Sequence, residues 1–108
     1  MDEIRVILCT FPDPEKARQI GTQLVELQYA ACVNLIPRIQ SIYRWQGTIE
    51  TDTETLALIK TTAAGLDRLK AELTALHPYD VPEIIALHPA DVSAPYQKWL
   101  GQNIAPTP

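Results

Sequence analysis

The sequence is short of cysteine, glycine and basic residues, and it contains no long apolar run. Its two cysteines, Cys9 and Cys32, are too few for a disulfide framework, so we expect both to be free thiols. Nine basic residues against 13 acidic ones give a net charge of -4, and their dispersal argues against a nucleic-acid-binding surface. No stretch approaches the roughly 18 apolar residues of a membrane span. The N-terminus shows no secretory signal, so we expect no membrane association and a cytoplasmic location.

The composition that remains is that of an ordinary globular domain. The chain has 108 residues, of which 46% are hydrophobic and 20% charged. We expect a single domain over residues 1–108. Its ordered core should run from about residue 3 to about residue 102, and the tail behind it should be frayed.

Apolar periodicity predicts the order β-α-β-β-α-β followed by a short helix. The first helix should start at Asp13-Pro14, because Asp is a good N-cap and Pro is tolerated in the first turn. Its apolar face should be formed by Ala17, Ile20, Leu24 and Leu27. Strands are predicted over 4–10, 31–45 with a bulge at Pro37, 48–61 and 83–87, and further helices over 63–76 and 96–102.

This order predicts an α+β fold, a ferredoxin-like βαββαβ sandwich with both main helices on one face of the sheet. Two features, the length of the hairpin and the number of apolar strand residues, exceed what a single four-stranded subunit can pair or bury. The hairpin arms of about a dozen residues are longer than the usual five or six. The strands also carry more apolar residues than two helices can cover, which predicts that subunits associate through sheet faces and strand edges. These residues are Val33, Leu35, Ile42, Leu56, Leu58, Ile84 and Leu87.

Several blocks between residues 4 and 100 resemble the CutA divalent-cation tolerance family. They are Cys9-Thr10-x-Pro12, Ala30-Ala31-Cys32-Val33-Asn34, Ser41-Ile42-Tyr43-x-Trp45-x-Gly47, Ile59-Lys60-Thr61, His77-Pro78-Tyr79-x-Val81-Pro82-Glu83-Ile84-Ile85 and Tyr96-x-x-Trp99. The resemblance implies a homotrimer with a subunit fold similar to the PII signalling proteins. It also implies a role in tolerance to divalent metals, particularly copper, and no established catalytic reaction. Gln46 departs from the pattern, since the family usually has Glu there, and His88 lies outside it.

Cys9, Cys32 and His77 are the candidate ligands for a soft metal such as Cu(I) or Zn(II), with Glu83 as a weaker candidate. The two cysteines should lie at opposite ends of a helix, so one site within a subunit is not obvious. Both cysteines are also explained as small buried hydrophobes, and His77 as a complement to a helix C-terminus. We expect no metal to be required for folding.

A second candidate site is a polar cleft between subunits, in the neighbourhood of Lys60. Lys60 precedes the second helix, and a Lys beside a helix N-terminus suits an anion. The alternative is that Lys60 reaches solvent and the aromatic residues fill a subunit interface. The cleft residues are predicted to be Tyr43, Trp45, Lys60, Thr61, Tyr79, Glu83 and Trp99.

The alternating acids Glu50, Asp52 and Glu54 lie on one side of a strand. Such a row can hold a hard cation. More often the acids form a solvated face, or they are charges that protect an exposed sheet edge from pairing with another chain, and we favour these interpretations.

No sequence motif indicates catalysis. The loop after the first strand, Phe11-Pro12-Asp13-Pro14, lacks the glycines of an anion-binding loop, and the third strand lacks the aromatic platform of RNA-binding domains. The tight turn at 45–47 also leaves no room for the long PII signalling loop. Together with these missing motifs, the resemblance implies a non-enzymatic, trimeric PII-like protein of copper and divalent-metal homeostasis that binds a metal or small ligand at intersubunit clefts. The alternative is a structural or anchoring trimer with only an indirect link to metals.

Overall fold

A computed structural model describes residues 2–107, so the two ends of the predicted domain lie outside the described residues. The element order and the α+β class are as predicted. The elements are β1 (Ile4–Phe11), α1 (Pro14–Glu26), β2 (Cys32–Trp45), β3 (Thr48–Thr62), α2 (Leu66–Leu76), β4 (Ile85–Leu87) and α3 (Ala94–Gln102). None of the helices within 2–107 has the length and apolar character needed to cross a bilayer.

The four strands form one antiparallel sheet in the order β2-β3-β1-β4. In the β1–β3 register, Ile7 lies opposite Ile59 and Cys9 opposite Ala57. All four are buried against α1 and α2, whose contributions to the same cluster include Leu24 and Leu69. The main core therefore lies between one face of the sheet and the two helices, as the ferredoxin-like prediction requires.

Helix α1 begins as predicted, because the Asp13 side chain accepts a hydrogen bond of 2.7 Å from the Lys16 backbone N–H. It ends at Glu26, and Gln28 adopts a left-handed conformation with φ 60°. Leu27 is therefore outside the helix and 40% exposed. The prediction that Leu27 belongs to the buried face is wrong, because the chain turns before that residue reaches the core.

Helix α2 starts at Leu66, later than predicted, because residues 63–65 form a turn. The Gly65 N–H donates to the Thr62 hydroxyl at 3.1 Å in that turn. Strand β4 is reduced to Ile85–Leu87, and α3 begins two residues early at Ala94.

In the tail predicted to be frayed, Ala105 and Pro106 form hydrogen bonds with the rest of the chain. The Ala105 N–H donates to the Gln28 carbonyl at 2.8 Å. The Arg68 guanidinium donates to the carbonyls of Ala105 and Pro106. Pro108, also predicted to be frayed, lies outside the described residues.

Strands β2 and β3 form a hairpin with arms of 14 and 15 residues. A register shift between Ile36 and Ile39 marks the predicted bulge at Pro37. The turn uses positive φ at both central residues, 49° at Gln46 and 81° at Gly47, which matches the twist of paired strands. Pairing of β1 with β3 stops at Thr55, so the outer half of the hairpin is a two-stranded ribbon.

The sheet surface opposite α1 and α2, here called the open face, is only partly covered. Helix α3 packs on one end of it, where Leu100 joins a small cluster with Ile4. The remainder is apolar and accessible, with Ile36 44%, Ile85 48% and Leu87 44% exposed. Of the apolar residues counted as surplus in the sequence, Leu56, Leu58 and Leu87 lie on the open face, whereas Val33, Leu35 and Ile84 pack against the main core.

Candidate functional site

The cleft most suited to binding lies where the hairpin leaves the sheet beside the segment that follows α2. Its volume is about 770 Å³, within the range of small-molecule sites. It brings together four of the predicted cleft residues, Tyr43, Trp45, Tyr79 and Glu83. The whole lining consists of Thr10, Ser41, Ile42, Tyr43, Trp45, Asp52, Glu54, Pro78, Tyr79, Asp80, Val81 and Glu83.

Two tyrosine–carboxylate pairs organise the cleft. Tyr43 donates its hydroxyl hydrogen bond to Asp52 within the hairpin, and Tyr79 donates to Glu54 at 2.8 Å. The hydrogen bond to Asp52 raises the pKa of Tyr43 to about 12. Burial, followed by the Glu54 hydrogen bond, raises the pKa of Tyr79. Both phenols therefore remain protonated donors at neutral pH.

Glu54 is the most buried of the acidic cleft residues that the sequence prediction did not include. The residue is 9% exposed, and Tyr79 is the one side-chain hydrogen-bond donor to its carboxylate among residues 2–107. The two ion pairs formed in that range, Arg5–Glu3 and Arg18–Glu15, lie elsewhere. The interpretation of the alternating acids as a solvated face, or as charges that protect a sheet edge, holds for Glu50 but is wrong for Glu54, because the segment after α2 folds over this part of β3. No local sequence signal distinguishes the two.

All the charged residues of the cleft wall are acidic. Asp52, Glu54, Asp80 and Glu83 contribute four carboxylates, and no Lys, Arg or His occurs among the described residues that line it. The electrostatic potential inside is therefore negative, which favours cations over anions.

His77 lies behind the cleft and positions Tyr79. The backbone N–H of Tyr79 donates to His77 Nδ1 at 3.1 Å, so Nε2 carries the proton and donates to the Thr10 carbonyl at 2.8 Å. The ring stacks on Phe11 with centroids 4.6 Å apart. Burial lowers the pKa of His77. Neither ring nitrogen, as placed, offers a free lone pair to a metal ion.

Comparison with known proteins identifies the family. The family model described as "CutA1 divalent ion tolerance protein" matches residues 5–103. The chain belongs to the CutA1 family. The Divalent-cation tolerance protein CutA of Thermus thermophilus is 50% identical over 98 residues, which are 91% of this chain and 95% of that protein. The match spans only 66% of the Danio rerio relative "Protein CutA homolog" and 52% of the Arabidopsis thaliana relative "Protein CutA, chloroplastic".

Solved CutA1 structures have the same fold. The crystal structure of CutA1 from Oryza sativa superposes with a TM-score of 0.95 at 36% identity, covering 98% of this chain and 97% of that one. The Thermus thermophilus structure, described as a divalent cation tolerance protein, gives a TM-score of 0.91 at 48% identity, covering 94% and 99%.

The predicted soft-metal ligands are not assembled within one CutA1 chain. Cys9 is fully buried on the helix side of the sheet, and burial raises the pKa of its thiol to about 12. Cys32 is half-buried on the open face, opposite Lys60 in the strand register. Among residues 2–107, no three His, Cys, Asp or Glu side chains are grouped as a metal ion would need.

The remaining predicted cleft residues lie elsewhere in the subunit. Lys60 points to the open face, where its Nζ donates to Asn34 Oδ1 at 2.6 Å and lies 5.8 Å from the Tyr96 ring centroid. Thr61 points the opposite way and donates to the Tyr29 carbonyl at 2.8 Å. Trp99 packs on Tyr96, with ring centroids 5.5 Å apart. It remains a prediction that Lys60, Thr61 and Trp99 share a cleft with Tyr43 and Tyr79 across a subunit boundary.

Gln46 departs from the family pattern and His88 lies outside it. Both residues are exposed, and neither lines the cleft. Gln46 occupies the hairpin turn, and His88 follows β4.

Proposed function

We propose that this CutA1 chain acts as a homotrimeric, PII-like binding module in divalent-cation tolerance, without catalytic turnover. Its ligand is a cation or small cationic molecule held in the acidic cleft at a subunit boundary. The observation that carries the proposal is the uncompensated charge of the cleft, where four carboxylates meet no basic side chain among the described residues. We also propose a cytoplasmic location, although the Archaeoglobus fulgidus relative is described as periplasmic.

The exposed apolar surface of the sheet supports assembly. Ile36, Ile85 and Leu87 are each more than two-fifths exposed on the open face. Contiguous apolar surface of this kind is typical of protein interfaces. The outer half of the β2–β3 ribbon is paired on one side only, so its edges remain available to another subunit.

The cleft adjoins the proposed interface. Glu54, Leu56 and Leu58 alternate along β3 and therefore point to the same side of the sheet. A subunit that covers Leu56 and Leu58 would come close to Glu54, so assembly and ligand binding are expected to be linked.

Copper held by Cys9, Cys32 and His77 stays a separate prediction. Cys9 and Cys32 point to opposite faces of the sheet in one chain, whereas Cys9 and His77 both contact the Thr10 carbonyl, at 3.9 Å from Sγ and 2.8 Å from Nε2. The absence of a grouped metal site within residues 2–107 favours the second candidate function, a structural or anchoring trimer with an indirect link to metals.

Light scattering tests the assembly. The parent should show three times the 12.1 kDa chain mass. Ile85→Lys should dissociate the assembly, because it places a charge on the open face. Leu27→Lys is the matched control, since Leu27 is similarly exposed on the helix side. A compact parent monomer would contradict the proposal.

Calorimetry tests the binding function. Saturable binding of Cu(II), Mn(II) or a small organic cation, weakened by Asp52→Asn, supports a binding module. If no cation binds to the assembled protein, the structural or anchoring trimer is the better description.

A further inference from the structure

We propose that the acidic cleft is selective for a small organic cation, an ammonium group carried on an apolar body, over a bare metal ion. This inference rests on the proposed function of the cleft as a binding site, and it names the class of ligand. Three properties of the cleft support it: a buried uncompensated charge, the absence of a metal-type ligand group, and exposed aromatic walls.

The buried charge is that of Glu54. Nine-tenths of this residue is removed from solvent, and it lines the cleft. Buried carboxylates in proteins are paired with a cation or held by several donors, since an uncompensated charge is costly. Glu54 has one neutral donor, Tyr79, among the residues of the described range. The carboxylate is thus preorganised for a cation that the subunit itself does not supply.

The arrangement of the carboxylates does not suit a bare ion. Within 2–107 no three carboxylate, thiol or imidazole groups are close enough to share one metal ion. Asp52 and Glu54 are each held by a tyrosine hydroxyl. A divalent ion such as Ca²⁺ requires about six to eight oxygen ligands around one point. An ammonium group needs only one or two carboxylates, because a primary ammonium donates at most three hydrogen bonds and a quaternary ammonium is attracted by charge and aromatic faces alone.

The rest of the cleft suits the body of an organic molecule. Trp45 and Tyr43 line it and are 55% and 40% exposed. Ile42 and Val81 add apolar surface at 70% and 78% exposure. Aromatic faces attract ammonium cations, and Trp is the strongest of them. The volume of about 770 Å³ is far more than one metal ion fills.

Trp45 provides a direct probe of the cleft in the full-length assembled protein. The chain has two tryptophans, and the other, Trp99, lies on α3. In a Trp99→Phe background, Trp45 is the one remaining indole. Choline as a quaternary ammonium and Nα-acetyl-lysine methylamide as a primary ammonium should change Trp45 fluorescence saturably. MgCl₂, CaCl₂ and MnCl₂ at matched ionic strength should not.

Two variants, each with a matched control, separate charge from aromatic recognition. Glu54→Gln should weaken ammonium binding about tenfold or more, because it removes a charged partner. Glu50→Gln, an exposed acid on the same strand outside the cleft, should leave the affinity within about twofold. By calorimetry, Trp45→Leu should weaken choline binding about three- to tenfold, whereas Trp99→Leu should not. Trp45→Leu keeps the test valid if Glu54→Gln fails to fold.

The outcomes are distinct. Ammonium binding that depends on both Glu54 and Trp45 supports the inference. Metal binding in the cleft without ammonium binding overturns the inference and leaves the proposed function standing. No binding of either class overturns both. Trimer dissociation by Glu54→Gln, with no ligand bound by the parent, would show that a neighbouring subunit supplies the cation, and it also overturns the inference.

Discussion

Tyr79 donates a hydrogen bond of 2.8 Å to Glu54, two residues that are 25 positions apart in the chain. The bond joins the segment after α2 to strand β3 and closes one wall of the acidic cleft. On the opposite side of Tyr79, His77 accepts the backbone N–H of the same residue. Tyr79 is thus fixed at both its backbone and its hydroxyl, and it holds the most buried carboxylate of the cleft in place.

The Tyr79–Glu54 hydrogen bond should stabilise the fold. Tyr79→Phe should lower the free energy of unfolding by about 1–2 kcal/mol, because a buried carboxylate loses its donor. Tyr43→Phe is the matched control, since its partner Asp52 is exposed, and it should cost no more than about 0.5 kcal/mol. Guanidinium titration at a fixed chain concentration measures both. Equal effects would contradict a special role for Tyr79.

The buried imidazole of His77 should make stability depend on pH. Burial lowers the pKa of His77 below its ordinary 6.5. Just below pH 6.5 the unfolded chain therefore binds more protons than the folded one, and stability falls as the pH is lowered from 6.5 towards the folded pKa. Thermal melts between pH 7.5 and 5 should show this slope.

The second histidine of the chain, His88, is exposed and supplies the control. His88→Gln should retain the parent slope, whereas His77→Gln should reduce it at a lower overall stability. An unchanged slope in His77→Gln would assign the pH dependence to other groups.

Cys9 should be inert in the folded protein. Burial raises the pKa of its thiol from 9.0 to about 12, which lowers the thiolate fraction at pH 8 by roughly a thousandfold. In Cys32→Ser, a disulfide reagent should react with Cys9 only after unfolding. In Cys9→Ala, the half-buried Cys32 should react faster under native conditions. Comparable native rates for the two would contradict the burial of Cys9.

The hairpin turn predicts opposite effects for two neighbouring substitutions. Gly47 has φ 81°, and the space that an added methyl group would occupy is open, so Gly47→Ala should cost about 1 kcal/mol through backbone strain alone. Gln46 has φ 49°, and Gln46→Asn should stabilise by up to about 0.5 kcal/mol, since Asn tolerates this conformation better. Urea titration of the two variants beside the parent checks both signs.

Local signals in the sequence determined most of the fold. Asp13-Pro14 specifies a helix start, Pro37 a bulge, and Gln46-Gly47 a two-residue turn, because each depends on backbone preferences of residues close in sequence. Alternating and helical apolar patterns then gave the element order. The sequence blocks also predicted the CutA family, which the family model confirms.

Packing between distant segments decided the site. Glu50 and Glu54 are both glutamates in the same alternating row of β3. Only Glu54 is covered by Tyr79. Lys60 and Thr61 are neighbours that point to opposite faces, and His77 has both nitrogens occupied by groups from two segments. Burial depends on which remote chain lies against a residue, and a one-dimensional pattern does not contain that information. The sequence therefore determined the elements, while the tertiary structure alone decided which carboxylate became the buried charge of the cleft.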